Sequence, residues 1–449
     1  MLCCILKNLR SSHCKNLAVL KVSALKQKRS GYLCRVFLGY FHFLRMTTTH
    51  TLENRPKNES IATLLAFTLI PLSGLATDIY IPSLPSMAKS LAISDTHVQA
   101  TLSLFLISYG VSQLFVGSIL DSFGRYKICL YALLIFALAS LVIASTHNIY
   151  LIYLMRIIHG ITTGAIIVSK RAYFVDMYQG EKLKHYLSLF TIIWSSGPIV
   201  APFLGGYLQI AFGWESNFYF LAFYAFLMFA LEWLYSGETI KSYSEFKLKK
   251  ITLIYIDMIK TSSFTLGIVM LGLAYSMVMV YNMTGPFILE HEMHLSPVVV
   301  GYSSLFLGLA WMTGGFISKG TIHFPFYHKM GANLGFQLVF AVVMLISSAY
   351  ISNIFTILFF AFLIHTSAGF TFNNYFSYCL ARFPKNAGIA GGLTGGITYV
   401  IVSSLSYAVV AIFPANGETE LSYSYTLLII PSVIVMAIIY ALRKPDDMI

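Results

Sequence analysis

Acidic residues are scarce in this chain. Of 449 residues only 18 are Asp or Glu, against 30 Lys or Arg, and charged residues of both signs make up 11%. Soluble domains carry about a quarter charged residues, so an ordinary water-soluble globule is excluded. Cysteine is sparse as well: there are six, and four of them (Cys3, Cys4, Cys14 and Cys34) lie in the first stretch. Neither a disulfide framework nor a metal-ligand spacing emerges. The phosphate-cradling loop GxxxxGK[ST] is missing, which argues against ATP as an energy source, and no cofactor is expected. No catalytic constellation is visible, so an enzyme is not expected. What fills the chain is apolar: 57% hydrophobic residues and a mean hydropathy of +0.73. That is the composition of a polytopic membrane protein.

The formal charge of +12 sits mostly at the front, where residues 1–45 hold nine Lys and Arg and no acid, leaving +3 for the rest. Basic charge orients a membrane protein, so no nucleic-acid partner is implied. Arg35 breaks the leader's one apolar run, GYLCRVFLGYFHFL, and the core and cleavage site of a secretory signal are lacking. An acid-free leader of this kind is also compatible with an organelle transit peptide. Met46, followed by TTTHTLENRPKNES, reads as a natural start of a cytoplasmic tail. Residues 1–60 are therefore expected to be a basic leader and polar disordered tail, with translation starting either at Met1 or at Met46.

Apolar segments suited to crossing a bilayer run approximately over 61–88, 98–120, 128–146, 149–169, 186–208, 217–236, 262–289, 298–318, 334–351, 354–380, 388–412 and 422–442, twelve in all. Lys and Arg accumulate on the cytoplasmic side, which tests that count independently. With the amino terminus inside, the internal connections hold Arg125 and Lys127; Lys170, Arg171, Lys182 and Lys184; Lys241, Lys247, Lys249, Lys250 and Lys260; Lys319 and Lys329; Arg382 and Lys385. The tail adds Arg443 and Lys444, while the outer connections hold only Lys89. Both termini are thus expected in the cytoplasm. The expected division is an N-terminal six-helix bundle over 61–236, a cytoplasmic linker over 237–261, a C-terminal six-helix bundle over 262–442 and a cytoplasmic tail over 443–449.

Within the 28 residues of the first span the one charge is Asp78. A central Asp costs about 2.5 to 3.5 kcal/mol on insertion scales, so such residues face a wet cavity or a partner charge and mark an ion or substrate path. The expected partner is Arg156, the one other Arg or Lys that interrupts an apolar span. By helical rise, Asp78 lies about 5 Å and Arg156 about 10 Å below the outer surface, so the two charges can meet. The competing reading leaves Asp78 solvated near the outer interface.

Two sets of six spans joined by a basic loop resemble the major facilitator superfamily of secondary transporters, each half being an inverted repeat. The resemblance sharpens after the second span, where Gly117-Ser-Ile-Leu-Asp121-Ser-Phe-Gly124-Arg125-Tyr-Lys127 is similar to the family's G-x-x-x-D-x-x-G-R-[RK] signature. Gly117 is expected to let helices approach, Gly124 to permit a turn, and Asp121 to pair with cations or a helix amino terminus and latch the halves. In the fourth span, Arg156-Ile-Ile-His159-Gly160 resembles R-x-x-Q-G, with His159 in place of Gln. In the fifth, Gly197-Pro-Ile-Val-Ala201-Pro202-Phe-Leu-Gly205-Gly206 resembles the G-x-x-x-G-P-x-x-G-G signature of drug:proton antiporters. Asp78-Ile-Tyr80-Ile-Pro82, with Tyr281-Asn-Met-Thr-Gly285-Pro286 in the seventh span, is similar to the bicyclomycin-resistance and chloramphenicol-efflux type. The resemblance implies an all-α membrane protein of twelve transmembrane helices in two pseudo-symmetric bundles. It further implies that Asp78, with Arg156, exchanges protons in competition with substrate. A second acid found in some relatives is absent, Ile70 and Pro71 standing there, which counts against strongly cationic substrates.

Cavity candidates are Tyr80, His159, Tyr275, Tyr281, Asn282, His365, Asn373, Asn374 and Tyr378, which can stack on rings and hydrogen-bond polar edges; each has a packing role as its alternative. Glu290-His291-Glu292-Met-His294 lacks the H-E-x-x-H spacing of a metal site and reads as a solvated loop, so no metal is expected. The expected function is proton-gradient-driven export of small amphipathic molecules across a bacterial inner membrane, by a monomer in the lipid bilayer. The alternatives are a dedicated exporter of an endogenous metabolite such as a siderophore, and a proton-symport uptake permease.

Overall fold

The computed structural model describes residues 56, 58–240, 243, 248–383 and 387–442. The expected leader 1–45 and the tail 443–449 lie outside the described residues. Among those described, twelve helices are long and apolar enough to cross a membrane, and there is no strand. They are α1 (Glu59–Leu91), α2 (Asp95–Phe123), α3 (Arg125–Ser145), α4 (Ile149–Met177), α5 (Gly180–Phe212), α6 (Glu215–Tyr235), α7 (Ser262–Glu292), α8 (Pro297–Gly320), α9 (Phe326–Ser348), α10 (Ile354–Arg382), α11 (Gly388–Ile412) and α12 (Glu418–Ala441). Helices are what lipid demands, since a spanning backbone must satisfy its own N–H and C=O groups.

The packing order repeats. In the first six helices α2 lies on α4, α3 on α6 and α4, and α1 on α4, α5 and α6; in the second six, α8 lies on α10, α9 on α12 and α10, and α7 on α10, α11 and α12. Each pair in one half has its counterpart six helices later. Across the seam α2 packs on α11 and α5 on α8, which are likewise counterparts. Small residues permit the close approach: Gly110 of α2 faces Gly396 of α11, and Gly301 of α8 faces the backbone of Pro202 and Phe203 in α5. Two hydrogen bonds cross the α2 side of the seam, from Gln99 Nε2 to the Met283 carbonyl at 2.8 Å and from Ser403 Oγ to the Ser103 carbonyl at 2.7 Å.

Hydropathy does not foresee three features. First, α1 is interrupted: its pieces are Glu59–Leu69, Leu72–Asp78 and Leu84–Leu91, with a 3-10 turn at Ile81–Ser83. Pro71, Pro82 and Pro85 explain this, because each removes a helical N–H donor. Second, the linker contains a thirteen-residue helix, Leu248–Lys260. Third, α4 continues to Met177, so Lys170, expected in a connection, lies inside the helix. It is 5% exposed and paired with Glu232 of α6 at 2.7 Å. Arg156 is therefore not alone as a basic residue within a span.

Candidate functional site

Asp78 ends the middle piece of α1 and is 2% exposed. The competing reading, a solvated carboxylate, does not fit that burial. Its hydrogen-bond partner comes from the other half: Asn282 Nδ2 of α7 donates to Asp78 Oδ1 at 3.4 Å. The acid therefore lies at the seam.

Arg156 is fully buried on α4, but no carboxylate of the described residues lies within 4 Å of it. The direct Asp78–Arg156 pair is thus absent here. The reason lies in the interruption of α1, which frees backbone carbonyls. Arg156 Nη1 donates to the Ala76 carbonyl at 2.9 Å, and Nε to the Thr101 carbonyl of α2 at 3.4 Å. The guanidinium is sandwiched between the rings of Tyr80 and Phe105, 4.6 and 4.5 Å from their centroids. Tyr80 is held in turn by Thr101 Oγ1 at 2.9 Å, so it serves the arginine rather than lining a cavity. Arg156 Nη2 makes no hydrogen bond.

His159 supports the same group. Its Nδ1 lies 3.4 Å from Arg156 Nη1, which can only donate, while Nε2 lies 3.2 Å from the Phe136 carbonyl, which can only accept. The ring is therefore neutral, with its proton on Nε2, and it stacks on Phe136 at 4.2 Å. Gly160 and Gly164 lie against Ser108 and Ser112 of α2, which brings α4 close enough for Arg156 to reach across.

The glycine motif of α5 serves two neighbours. Gly197 meets Pro71 and Gly74 of α1, and Gly205 meets the carbonyl of Ile79. Gly206 lies instead against Pro297 of α8, and Pro202 against Gly301, in the other half; Ala201 is fully buried. At the α2–α3 turn Gly124 adopts φ +96°, a conformation only glycine takes readily. Asp121 bonds Arg125 at 3.0 Å, and Arg125 also pairs with Asp176 of α4. This network joins α2, α3 and α4 within one half, so the expectation that Asp121 latches the two halves is corrected. Glu238, unremarked in the sequence, accepts from the N–H groups of Arg125 and Tyr126 at 3.2 Å each and caps α3. Open space surrounds Gly117, so it mediates no close approach. Lys127, beyond the turn, is half-buried.

The remaining candidates separate. His365 and Tyr281 sit in the core of the second half, with His365 Nε2 3.1 Å from the Tyr425 hydroxyl. Asn374 bonds the Phe370 carbonyl of its own helix, and Asn373 that of Gly369. Tyr378 accepts from Arg382 at 2.9 Å near the end of α10, far along the helix from His365. Among the described residues no His, Cys, Asp and Glu cluster could hold a metal, and His291 instead lies 4.0 Å from Asp95. Tyr275 belongs to an aromatic group that sequence reasoning missed. It lies 5.6 Å from Trp311, 6.0 Å from Phe372 and 5.9 Å from Tyr399, whose ring is 4.8 Å from Tyr109. Five helices from both halves contribute.

Comparison with known proteins bears on this arrangement. The family model described as Major Facilitator Superfamily matches residues 66–407. Multidrug resistance protein D of Escherichia coli is 27% identical over 380 residues, covering 83% of this chain and 94% of its own length. The bicyclomycin resistance protein homolog of Haemophilus influenzae is 31% identical over 196 residues, covering 44% and 49%. The solved structure of the nucleoside transporter NupG superposes with a TM-score of 0.65 at 16% identity, over 86% of this chain and 99% of that one.

Proposed function

Because the chain belongs to the major facilitator superfamily, we propose that it is a proton-coupled antiporter exporting small amphipathic molecules, drugs among them, across a bacterial inner membrane. The observation that carries this reading is the buried carboxyl of Asp78, held at the seam by Asn282 of the opposite half. Ionised, Asp78 accepts a charge-assisted hydrogen bond; protonated, it offers a neutral bond roughly half as strong. Gaining a proton there weakens the tie between halves on the side where Gln99 and Met283 also join them. A substrate that takes the place of Asn282 breaks the same tie. Proton and substrate then compete for one group, which is the basis of exchange, and alternating access follows from the shifted balance of two states.

Arg156 Nη2, buried without a partner, is the donor available to Asp78 or to a substrate oxygen in another state of the cycle. The half-buried rings of Tyr275, Trp311, Phe372 and Tyr399 suit a ligand with an apolar body and a polar edge. The Lys and Arg bias supports a cytoplasmic position for both termini and the linker, with six-helix bundles over 61–236 and 262–442. Support for export comes from the Gly197–Gly206 motif and from the relatives named for drug resistance. In everted membrane vesicles, acidifying the lumen should drive uptake of a fluorescent drug, and substrate addition should release protons from the lumen. Asp78→Asn should abolish both while leaving the amount of protein in the membrane unchanged; retained proton exchange in that variant rejects the assignment.

A further inference from the structure

The linker helix Leu248–Lys260 presents two unlike faces. One turns to the protein: Met258 is buried, Ile254 and Tyr255 pack against the core of the second half, and the Tyr255 hydroxyl donates to the Leu114 carbonyl of α2 at 2.8 Å. The other carries Leu253, Ile256 and Ile259, which are 57%, 44% and 43% exposed. Three large apolar side chains on one face of a connecting helix need an explanation if water surrounds them.

Their height supplies it. The helix ends at Lys260, Thr261 is the one residue between, and α7 begins at Ser262. Ile259 and Ile256 therefore lie within about two helical turns of a membrane span's first residue, at the level of the headgroup and acyl boundary. Charge identifies the lipid. Between residues 241 and 260 the sequence holds Lys241, Lys247, Lys249, Lys250 and Lys260 against Glu245 and Asp257. Lys249 and Lys250 precede Leu253 by four and three residues in the sequence, and Lys260 follows Ile259 directly and is exposed. An apolar stripe in a segment whose sequence carries five lysines against two acids matches an anionic membrane surface.

The geometry points to the linker helix as an interfacial anchor that inserts Leu253, Ile256 and Ile259 among anionic phospholipids. Through Tyr255 the same helix grips Leu114, whose side chain faces Gly396 at the α2–α11 seam. Anionic lipid bound to the anchor thus braces a contact that must slide when the halves rock. The inference rests on the transporter reading only for this consequence; the anchoring itself does not depend on transport or on membrane orientation.

The test uses full-length protein in symmetric bilayers, so that either orientation meets the same lipid. A fluorophore is attached at Ile256→Cys, the six native cysteines being replaced, and quenching by brominated phosphatidylglycerol is compared with brominated phosphatidylcholine at equal bulk fraction. Strong quenching by acyl-chain bromine is expected, with phosphatidylglycerol preferred by roughly fivefold for each lysine engaged at the surface. Lys249→Gln/Lys250→Gln/Lys260→Gln should remove the preference and retain the quenching. Quenching by aqueous iodide in place of bromolipid, or equal quenching by the two lipids in the parent protein, overturns the proposal. Because the readout requires no substrate, a failure here is distinct from a failure of proton exchange.

Discussion

Asn282 and Asp78 are 204 residues apart in sequence, yet the amide of one donates to the carboxyl of the other across the seam between the halves. It is the second half's hold on the first half's acid. Neighbouring contacts share its position: Gln99 bonds the Met283 carbonyl one residue along α7, and Asp95 lies 4.0 Å from His291 near the helix end.

Asn282→Ala removes that hold without introducing bulk. A hydrogen bond to a charged group contributes about 1.5 to 3 kcal/mol, so the balance should move away from the joined state by about tenfold or more. A cysteine placed at Ser103, which is buried at the α2–α11 contact, reports the change. Its reaction with a membrane-impermeant thiol reagent should quicken by a similar factor in the Asn282→Ala background. An unchanged rate would show that the bond does not tie the halves.

Arg156→Lys conserves charge but not shape. A lysine reproduces neither the planar contact with Tyr80 and Phe105 nor the paired reach to the Ala76 and Thr101 carbonyls. Loss of stacking and of one hydrogen bond should cost about 2 kcal/mol, read as a lower thermal midpoint in detergent. Restoration of full stability by lysine would contradict the clamp.

Glycines of the two recognised motifs should respond in opposite ways. At Gly205 an added methyl meets the Ile79 carbonyl, a backbone atom that cannot step aside, so Gly205→Ala should destabilise by about 1 to 3 kcal/mol. At Gly117 the space is open, and alanine in a helix gains about 1 kcal/mol over glycine. Thermal unfolding of the two variants side by side should show shifts of opposite sign.

Lys170 and Glu232 form a buried pair at 2.7 Å on α4 and α6. Lys170→Met leaves the carboxylate without its counter-charge, at a cost of about 3 to 5 kcal/mol, whereas Lys170→Met/Glu232→Leu should recover most of the loss. A double-mutant cycle in unfolding free energy measures the difference. A loss in the double variant equal to the sum of the two single losses would mean that the pair is not coupled.

The sequence discloses the spans because a bilayer imposes a length, and about twenty apolar residues in a row are hard to miss. It discloses Asp78 because a charge in such a run is rare. Its partner is another matter. Arg156 is conspicuous by charge, but Asn282 is neutral, distant in sequence and one polar residue among several in α7. Tyr109, Trp311, Phe372 and Tyr399 were invisible for the opposite reason: with 29 Tyr and 35 Phe, an aromatic ring in this chain carries little information until the fold brings particular ones together. Gly117 shows a further limit, since motif position alone does not reveal whether a neighbour is present. Lys170 reads as part of a connection because helix ends near the membrane surface continue beyond the apolar run that announces them.

The seven residues from Leu72 to Asp78 sit between two proline-marked interruptions of α1. A rigid rod of thirty-three residues would carry any displacement of its acid to both membrane surfaces at once. A short segment whose flanking hydrogen-bond ladder is broken by prolines transmits less of it, so the acid sits on a locally isolated turn, packed through Gly74 against Pro198 of α5.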